Sequence, residues 1–196
     1  MSVSKPLVII AHPHLHDGSR VNARWARELT AHPEAADVRD LYALYPNGAL
    51  NEAGITAERA ALTSHELVVF QFPIYWYSCP ALLRTWTDEV YGFGWAYGDD
   101  AAAPGEPGRM LAGKRFACAV SAADEPGSYT PAGKLGVTME QVLAPFTVTA
   151  RYVGGKPLAP FAFYHAEDAS DEDIDASAGR YLSWLEDLAK GEGTRA

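Results

Sequence analysis

Residues 7–24 read Leu-Val-Ile-Ile-Ala-His-Pro-His-Leu-His-Asp-Gly-Ser-Arg-Val-Asn-Ala-Arg, and this stretch decides the fold. Its first four residues are apolar without interruption, which predicts a strand buried on both faces. Gly18 and Ser19 supply a turn and an N-cap, and from position 21 apolar residues recur every four positions, as on a helix face. The first N–H groups of that helix would point into the turn, where free donors and the helix dipole favour an anion. The stretch therefore predicts a site for a phosphate-bearing cofactor.

Strand-like and helix-like segments alternate along the whole chain. Predicted strands cover 7–11, 38–42, 67–72, 115–121 and 150–163. Predicted helices cover 20–31, 56–64, 80–91, 137–146 and 174–189. Alternation of this kind implies right-handed crossovers and a parallel sheet. Five such units in 196 residues predict one α/β domain spanning 1–196, with a doubly wound sheet of order 2-1-3-4-5.

Composition narrows the class of partner. The chain has 25 acidic and 16 basic residues, a formal net charge of −9, which argues against binding to a nucleic-acid backbone. Its two cysteines, Cys79 and Cys118, have no zinc-site spacing and are expected to be buried thiols in a reducing cytoplasm. No apolar stretch approaches the length of a membrane span. We therefore expect a cytoplasmic protein that acts on a small molecule.

The loop after the third strand places Tyr75, Trp76 and Tyr77 consecutively between two prolines. In an open parallel sheet, ligands bind beyond the carboxyl ends of the strands where the strand order reverses, which here involves the loops after strands 1, 3 and 4. Flat side chains on a rigid turn suit one face of a planar ring. A packed turn or an oligomer contact is the alternative interpretation.

Two further segments carry weaker signals. The loop over 121–129 is small and polar and ends in Tyr129. Residues 91–98 alternate glycines with aromatic residues, which suits either a pocket wall or a dimer seam.

A different chemistry is suggested by His12, His14 and His16. Alternate residues of an extended segment share one face, so two of these imidazoles could bind one zinc ion, as in a metallohydrolase. Pro13 disturbs that strand alternation, which weakens the hypothesis. The chain has no Gly-x-Ser-x-Gly, Walker or Gly-x-Gly-x-x-Gly motif. It therefore lacks the signatures of serine hydrolases, NTPases and dinucleotide-binding Rossmann enzymes. A binding module without catalysis stays a further alternative.

Six short motifs follow one another with a spacing that covers most of residues 7–165. They are Ile-Ile-Ala-His-Pro at 9–13, Ser-Arg-Val-Asn at 19–22, Asp-Leu-Tyr-Ala-Leu-Tyr-Pro at 40–46, Phe-Pro-Ile-Tyr-Trp-Tyr-Ser at 72–78, Pro-Ala-Leu-Leu-Arg-Thr-Trp at 80–86 and Gly-Trp-Ala-Tyr-Gly at 94–98. Together they resemble the flavodoxin-like NAD(P)H:quinone oxidoreductases. The similarity is greatest to the bacterial branch with potassium-efflux ancillary subunits and general stress flavoproteins, and more distant to DT-diaphorase. The resemblance implies a flavodoxin-like three-layer sandwich.

The resemblance also implies a dimeric flavoenzyme with FMN, or alternatively FAD, that passes hydride from NAD(P)H to a quinone-type acceptor by a ping-pong mechanism. It assigns cofactor contacts to His12, Ser19, Arg20, Val21, Asn22, Ile74, Tyr75, Trp76, Tyr77, Ser121, Ala122, Ala123 and Asp124. Trp95 and Tyr97 match aromatics that wall the substrate pocket across the dimer. Tyr129 matches a tyrosine that stabilises charge during catalysis in DT-diaphorase.

Residues 121–124 depart from the family, because Ser-Ala-Ala-Asp replaces the usual Thr-Thr-Gly-Gly. The glycines allow the backbone to approach the flavin closely. Ala123 preserves part of that freedom, whereas Asp124 brings a negative charge near a ring that becomes anionic on reduction. The histidine that partners the DT-diaphorase tyrosine falls at about Leu135 here, so that proton relay is absent.

A regulatory function is the alternative that the resemblance itself raises. The protein would then be an ancillary subunit of a membrane potassium-efflux system, with redox chemistry secondary. Such a protein would bind a transporter at the inner face of the membrane while being otherwise cytoplasmic.

Overall fold

The computed structural model describes residues 5–191, in which strands and helices alternate. The strands are β1 (Leu7–Ile10), β2 (Asp37–Asp40), β3 (Leu67–Pro73), β4 (Arg115–Ser121), β5 (Lys156–Pro157) and β6 (Phe161–Phe163). The helices are α1 (Val21–Ala31), α2 (Leu41–Leu44), α3 (Glu52–Ser64), α4 (Ala81–Val90), α5 (Met139–Val142), α6 (Ala144–Tyr152) and α7 (Asp171–Lys190), with a 3₁₀ turn at Pro126–Ser128. Within residues 5–191 no helix has the length and apolar character needed to cross a membrane.

All strand pairs are parallel, and the sheet runs β2-β1-β3-β4-β5, with β6 also pairing with β4. The predicted order 2-1-3-4-5 is confirmed. Because β2 lies on one side of β1 and β3 lies on the other, the strand order reverses between β1 and β3. The carboxyl ends of these two strands therefore flank the crevice where such folds bind ligands.

Side chains of the central strands alternate between two buried layers. Leu7 and Ile9 of β1 pack on the face covered by α4 and α6, and Val8 and Ile10 pack on the face covered by α1 and α7. Because both faces are covered, the strands carry apolar residues at nearly every position instead of alternating with polar ones. The result is the expected three-layer arrangement of helices, sheet and helices.

The prediction of one strand over 150–163 is wrong. Residues 150–152 end α6, and the strand is split into the two short pieces β5 and β6. Gly154, with φ of 75°, follows the helix, and Pro157 and Pro160 lack the N–H groups that a continuous ladder requires. The predicted helix over 137–146 likewise begins only after Thr138, whose capping box starts α5, and is interrupted at Leu143.

Several predicted boundaries also shift. Ser19 is not the N-cap of α1, because Arg20 has that position, although Ser19 Oγ accepts from the N–H of Ala23 at 3.2 Å. The second strand ends at Asp40, whose carboxylate caps the short α2 by accepting from two backbone N–H groups. Helix α3 begins at Glu52, four residues early, because Asn51 caps it. These are capping effects, which a pattern of apolar residues does not report.

Candidate functional site

An open cleft of about 460 Å³ lies beyond the carboxyl ends of β1, β3 and β4. It is lined by His12, His14, Gly18, Ser19, Arg20, Val21, Asn22, Pro73, Ile74, Tyr75, Ser121, Ala123, Ala166 and Glu167. Its volume lies within the range of about 300–1,000 Å³ that small-molecule sites occupy. Three loops far apart in sequence therefore meet in one place, as the sheet topology predicts.

The first turn of α1 forms one end of this cleft. The backbone N–H groups of Arg20, Val21 and Asn22 have no acceptor among the described residues, whereas the N–H of Ala23 bonds to Ser19 Oγ. Three unpaired donors at a helix N-terminus, with the positive end of the helix dipole behind them, form a binding site for an anion. The residues present therefore fit a phosphate group at this end.

A buried hydrogen-bond network holds that helix end against the sheet. Asn22 Nδ2 donates to Ser121 Oγ at 2.8 Å, and Gln71 Nε2 donates to the Asn22 carbonyl at 3.1 Å. The hydroxyl of Tyr181 on α7 donates to Gln71 Oε1 at 3.1 Å. Because Asn22 and Gln71 are almost fully buried, each bond replaces water that these groups have lost. The network connects α1, β3, β4 and α7 directly behind the anion site.

His12 enters the cleft as a neutral hydrogen-bond donor. Its Nδ1 accepts the backbone N–H of His14 at 3.0 Å, so in the neutral ring the proton is on Nε2. Burial, and after it the nearby His14, lower its pKa to about 4 against the opposing effect of Asp17 and Asp40. Its contribution to an anion is therefore a directed N–H and not a positive charge.

Arg20 is committed to the wall of the cleft. Its guanidinium donates to the Glu167 carbonyl at 3.1 Å and to Asp171 Oδ1 at 2.7 Å. These contacts connect the start of α1 to the segment before α7. The positive charge beside the anion site is thus already paired with Asp171 at the start of α7.

The aromatic loop after β3 is a tight two-residue turn. Tyr75 and Ser78 exchange two backbone hydrogen bonds of 2.9 and 3.0 Å, and Trp76 and Tyr77 between them have φ of 49° and 59°. Two consecutive left-handed residues define a type I′ turn, which strongly prefers Asn and Gly. The turn presents the Trp76 ring to solvent, with 94% of the residue exposed. An exposed tryptophan held in a strained conformation is typical of a surface that a ligand or partner covers.

Ser121 and Ala123 line the cleft, whereas Ala122 is buried and joins the backbone to the neighbouring strand. The N–H of Ala122 donates to the Phe163 carbonyl at 2.8 Å. Asp124 is paired with Lys134 at 3.0 Å.

Tyr129 is buried beside this loop, 5.4 Å from the ring of Tyr164 between centroids. Burial, followed by the charge of Asp124, raises its pKa above the usual tyrosine value. The phenol therefore keeps its proton at neutral pH and is available as a donor.

Trp95 and Tyr97 lie outside the lining of the cleft. Trp95 is covered by the guanidinium of Arg59, with 5.0 Å from Arg59 Cζ to the ring centroid. The ring of Tyr97 lies 5.4 Å from that of Tyr152 on α6. Their assignment to a substrate pocket stays a prediction.

The three histidines of the first loop point to separate partners. Nδ1 of His14 lies 3.2 Å from Asp17, and Nε2 of His16 lies 2.8 Å from Asp40. Across residues 5–191 no three metal-ligating side chains converge. This geometry does not assemble the zinc site that the histidine spacing suggests.

Several cleft residues escaped sequence interpretation. Ala166 and Glu167 form a fourth wall, and they were missed because β6 was placed within one long strand. Gln71 gave a usable signal, because a lone amide inside an apolar strand must find buried partners. Nothing in the local pattern indicates Pro73 as a lining residue, and Gly18 is predicted only as part of the turn.

Comparison with known proteins identifies the family. The family described by its flavodoxin-like fold matches residues 4–185. The chain therefore belongs to this flavodoxin-like family, and its resemblance to flavodoxin-like NAD(P)H:quinone oxidoreductases is confirmed.

Three of the proteins that are similar to this chain in sequence or in structure show what its relatives are. An uncharacterized NAD(P)H oxidoreductase, YrkL of Bacillus subtilis, is 39% identical over 181 residues, which cover 92% of this chain and 97% of that protein. The glutathione-regulated potassium-efflux system ancillary protein KefG of Cronobacter sakazakii is 34% identical over 186 residues, with 94% of each chain covered. A crystal structure of general stress protein 14 from Treponema denticola in complex with FMN superposes with a TM-score of 0.84 at 37% identity, covering 94% of this chain and 99% of that one.

Proposed function

We propose that this protein is an FMN-dependent NAD(P)H oxidoreductase that reduces quinones or similar planar acceptors by a ping-pong mechanism. The observation that carries the proposal is the unpaired N–H triad of α1 in a cleft that is also lined by Tyr75, the first residue of the aromatic turn. A phosphate site next to flat side chains suits a flavin mononucleotide. A similar chain, 37% identical, was crystallised with FMN, and a relative is named as an NAD(P)H oxidoreductase.

The chemistry belongs to the cofactor and the positioning to the chain. When bound, FMN accepts a hydride from NAD(P)H and passes it to a quinone, which also takes up a proton. The N–H groups of residues 20–22 would hold the phosphate, and His12 would donate from Nε2. Tyr75 and Trp76 would cover the ring, and Tyr129 would donate to its edge. Because NAD(P)H and the acceptor use the same exposed face in turn, the chain needs no separate adenine-binding motif.

The test is direct. Purified protein should be yellow, should release FMN on denaturation, and should be reduced by NAD(P)H and reoxidised by a quinone in two separate stopped-flow steps. Riboflavin, which lacks the phosphate, should bind at least tenfold more weakly than FMN because it leaves the α1 donors unpaired. Equal affinity for the two flavins, or a stoichiometric metal in place of flavin, would contradict the proposal.

The proposed donor role of Tyr129 has its own test. Tyr129→Phe keeps the ring packed on Tyr164 and removes only the hydroxyl. We expect slower half-reactions with FMN occupancy unchanged. Tyr164→Phe is the matched control, since it removes a neighbouring hydroxyl from the same aromatic pair. Unchanged rates in Tyr129→Phe would reject the role.

A second candidate function, regulation of a potassium-efflux system, is favoured by the 34% identity to a protein named as an ancillary component of one. In that case the protein would attach to a transporter at the inner face of the membrane. Co-purification with a transporter and potassium efflux that depends on this chain would support it. Efficient quinone turnover by the isolated protein, without such an association, would favour the enzyme.

A further inference from the structure

Asp124 and Lys134 form an ion pair beside the cleft, next to the lining residue Ala123. Lys134 Nζ lies 3.0 Å from Asp124 Oδ1, with side-chain exposures of 69% and 30%. Asp124 directly follows Ala123, which lines the cleft, and its carbonyl accepts the N–H of His165 at 3.2 Å. The backbone of Asp124 is therefore held in place, whereas the ammonium group of Lys134 is carried on a long and mostly exposed side chain.

The pair belongs to the neighbourhood of the aromatic turn and of Tyr129. Asp124 is among the charges that raise the pKa of Tyr129, and Tyr77 and Glu125 are among the groups that raise the pKa of Lys134, after its hydrogen bond to Asp124. The helix N-terminus at residues 20–22 lines the same cleft as Tyr75 and Ala123. A cofactor with its phosphate at α1 and its ring system against the aromatic turn would thus have that ring system near the Asp124–Lys134 pair.

We propose that Lys134 and Asp124 together set the reduction potential of the bound flavin, Lys134 by cancelling the carboxylate charge that Asp124 brings to the ring end of the cleft. This inference rests on the proposed function. When NAD(P)H gives up a hydride it becomes NAD(P)⁺, and the hydride adds one negative charge to the flavin ring system. An unpaired Asp124 would oppose that charge, and an unpaired Lys134 would favour it.

The two residues therefore act in opposite directions, which separates a charge effect from a structural one. Lys134→Met should lower the midpoint potential of bound FMN, and Asp124→Asn should raise it. A tenfold change in the ratio of the dissociation constants of reduced and oxidised FMN corresponds to about 30 mV for a two-electron couple. We expect changes of about three- to tenfold in this ratio, and a potential near the wild-type value in the double variant.

Potentials are measured by dye-equilibrated photoreduction of FMN-loaded protein at 20 mM and 500 mM salt. Lys134→Arg, which keeps the charge, should retain the wild-type potential. The shifts should shrink at high salt, because Lys134 is largely exposed. Glu186→Gln and Lys190→Met are matched controls, since this ion pair lies at the far end of α7. These substitutions change the net charge by the same amounts as Asp124→Asn and Lys134→Met.

The outcomes distinguish the two proposals. A chain that binds no FMN overturns the proposed function and this inference with it. A chain that binds FMN but whose potential is unchanged in both single variants overturns this inference alone. Shifts of the same sign in both variants, accompanied by equal losses of thermal stability, would show that the pair only stabilises its loop.

Discussion

At the scale of single residues, the position of the anion site depends on buried amides more than on charges. Gln71 lies in a strand that is otherwise apolar, and it joins Asn22 at the start of α1 to Tyr181 on α7. Arg20, by contrast, is occupied by Asp171 and by the Glu167 carbonyl. The geometry of the helix end is therefore set from behind, by the buried side chains of Gln71 and Tyr181.

Replacing Gln71 tests this support. Gln71→Met keeps the volume of the side chain and leaves the Asn22 carbonyl and the Tyr181 hydroxyl without their partner. We expect a loss of about 1–3 kcal/mol in the free energy of unfolding, measured by urea denaturation. Tyr181→Phe should cost less, because it orphans only Gln71 Oε1. Wild-type stability in Gln71→Met would mean that the network does not hold the helix end.

His12 makes stability depend on pH. Its pKa of about 4 in the folded chain is lower than the 6.5 of a free histidine, so between these values the unfolded chain binds the additional proton. Stability should therefore fall as the pH decreases from about 6.5 to 4, by about 1–3 kcal/mol, and change no further on this account below pH 4. Urea denaturation across this range should give a shallower slope in His12→Gln. His32→Gln, at the exposed end of α1, should keep the wild-type slope.

At the scale of elements, the turn at Tyr75–Ser78 opposes its own sequence. Its two central residues are Trp76 and Tyr77, although a type I′ turn favours Asn and Gly, whose backbones accept positive φ. Bulky residues in this conformation are strained by about 1 kcal/mol or more each. Strain of this kind persists where the exposed rings have a function, and the function we propose here is to cover the flavin.

Exchanging the turn residues should separate stability from binding. The double change Trp76→Asn with Tyr77→Gly should raise the free energy of unfolding by about 1 kcal/mol or more and weaken FMN binding at least tenfold. Trp76→Ala is the control, because it removes the ring without relieving the backbone. Thermal denaturation and fluorescence titration with FMN measure the two effects. Full FMN affinity in both variants would reject the covering role of Trp76.

At the scale of the whole molecule, one surface patch is unusually aromatic. Phe93, Tyr97 and Tyr152 form a chain of rings with centroid distances of 5.8 and 5.4 Å. Val148, one turn before Tyr152 on α6, extends the patch, and Phe93, Val148 and Tyr152 are each more than 60% exposed. Exposed apolar side chains grouped in one patch mark interaction surfaces. We therefore propose that this face forms the homodimer implied by the sequence resemblance.

Sedimentation velocity tests the dimer. Val148→Glu with Tyr152→Glu places two buried charges in the proposed interface and should convert a dimer into a monomer that is still folded. Leu44→Glu is the matched control, since Leu44 on α2 is 47% exposed and lies outside the patch. A wild-type chain that sediments as a monomer at micromolar concentration would contradict the proposal.

A structural element could be predicted when its pattern is carried by residues that are close together in the sequence. The spacing of apolar residues predicts the central strands and the amphipathic helices. The strand order follows from the alternation of strands and helices and from the right-handed crossovers between them. The end of α6 is not evident from the sequence pattern, because Tyr152 and Val153 resemble strand residues yet end a helix. The two prolines after it then divide the strand, and the loop after β6 reaches the cleft unforeseen.

The sequence by itself determined the α/β fold, the strand order and the family, and it predicts the phosphate end of the cleft, because each depends on residues close together in the chain or on motif spacing. Only the tertiary structure decided how the distant parts meet. It joined Asn22 to Ser121 and Gln71, paired Arg20 with Asp171, and separated the three histidines. These contacts join residues as far as 151 positions apart, so they depend on where the packed elements put those residues. For the first stretch, 7–24, the sequence indicated an anion site, and the packing behind it fixed which groups face that site.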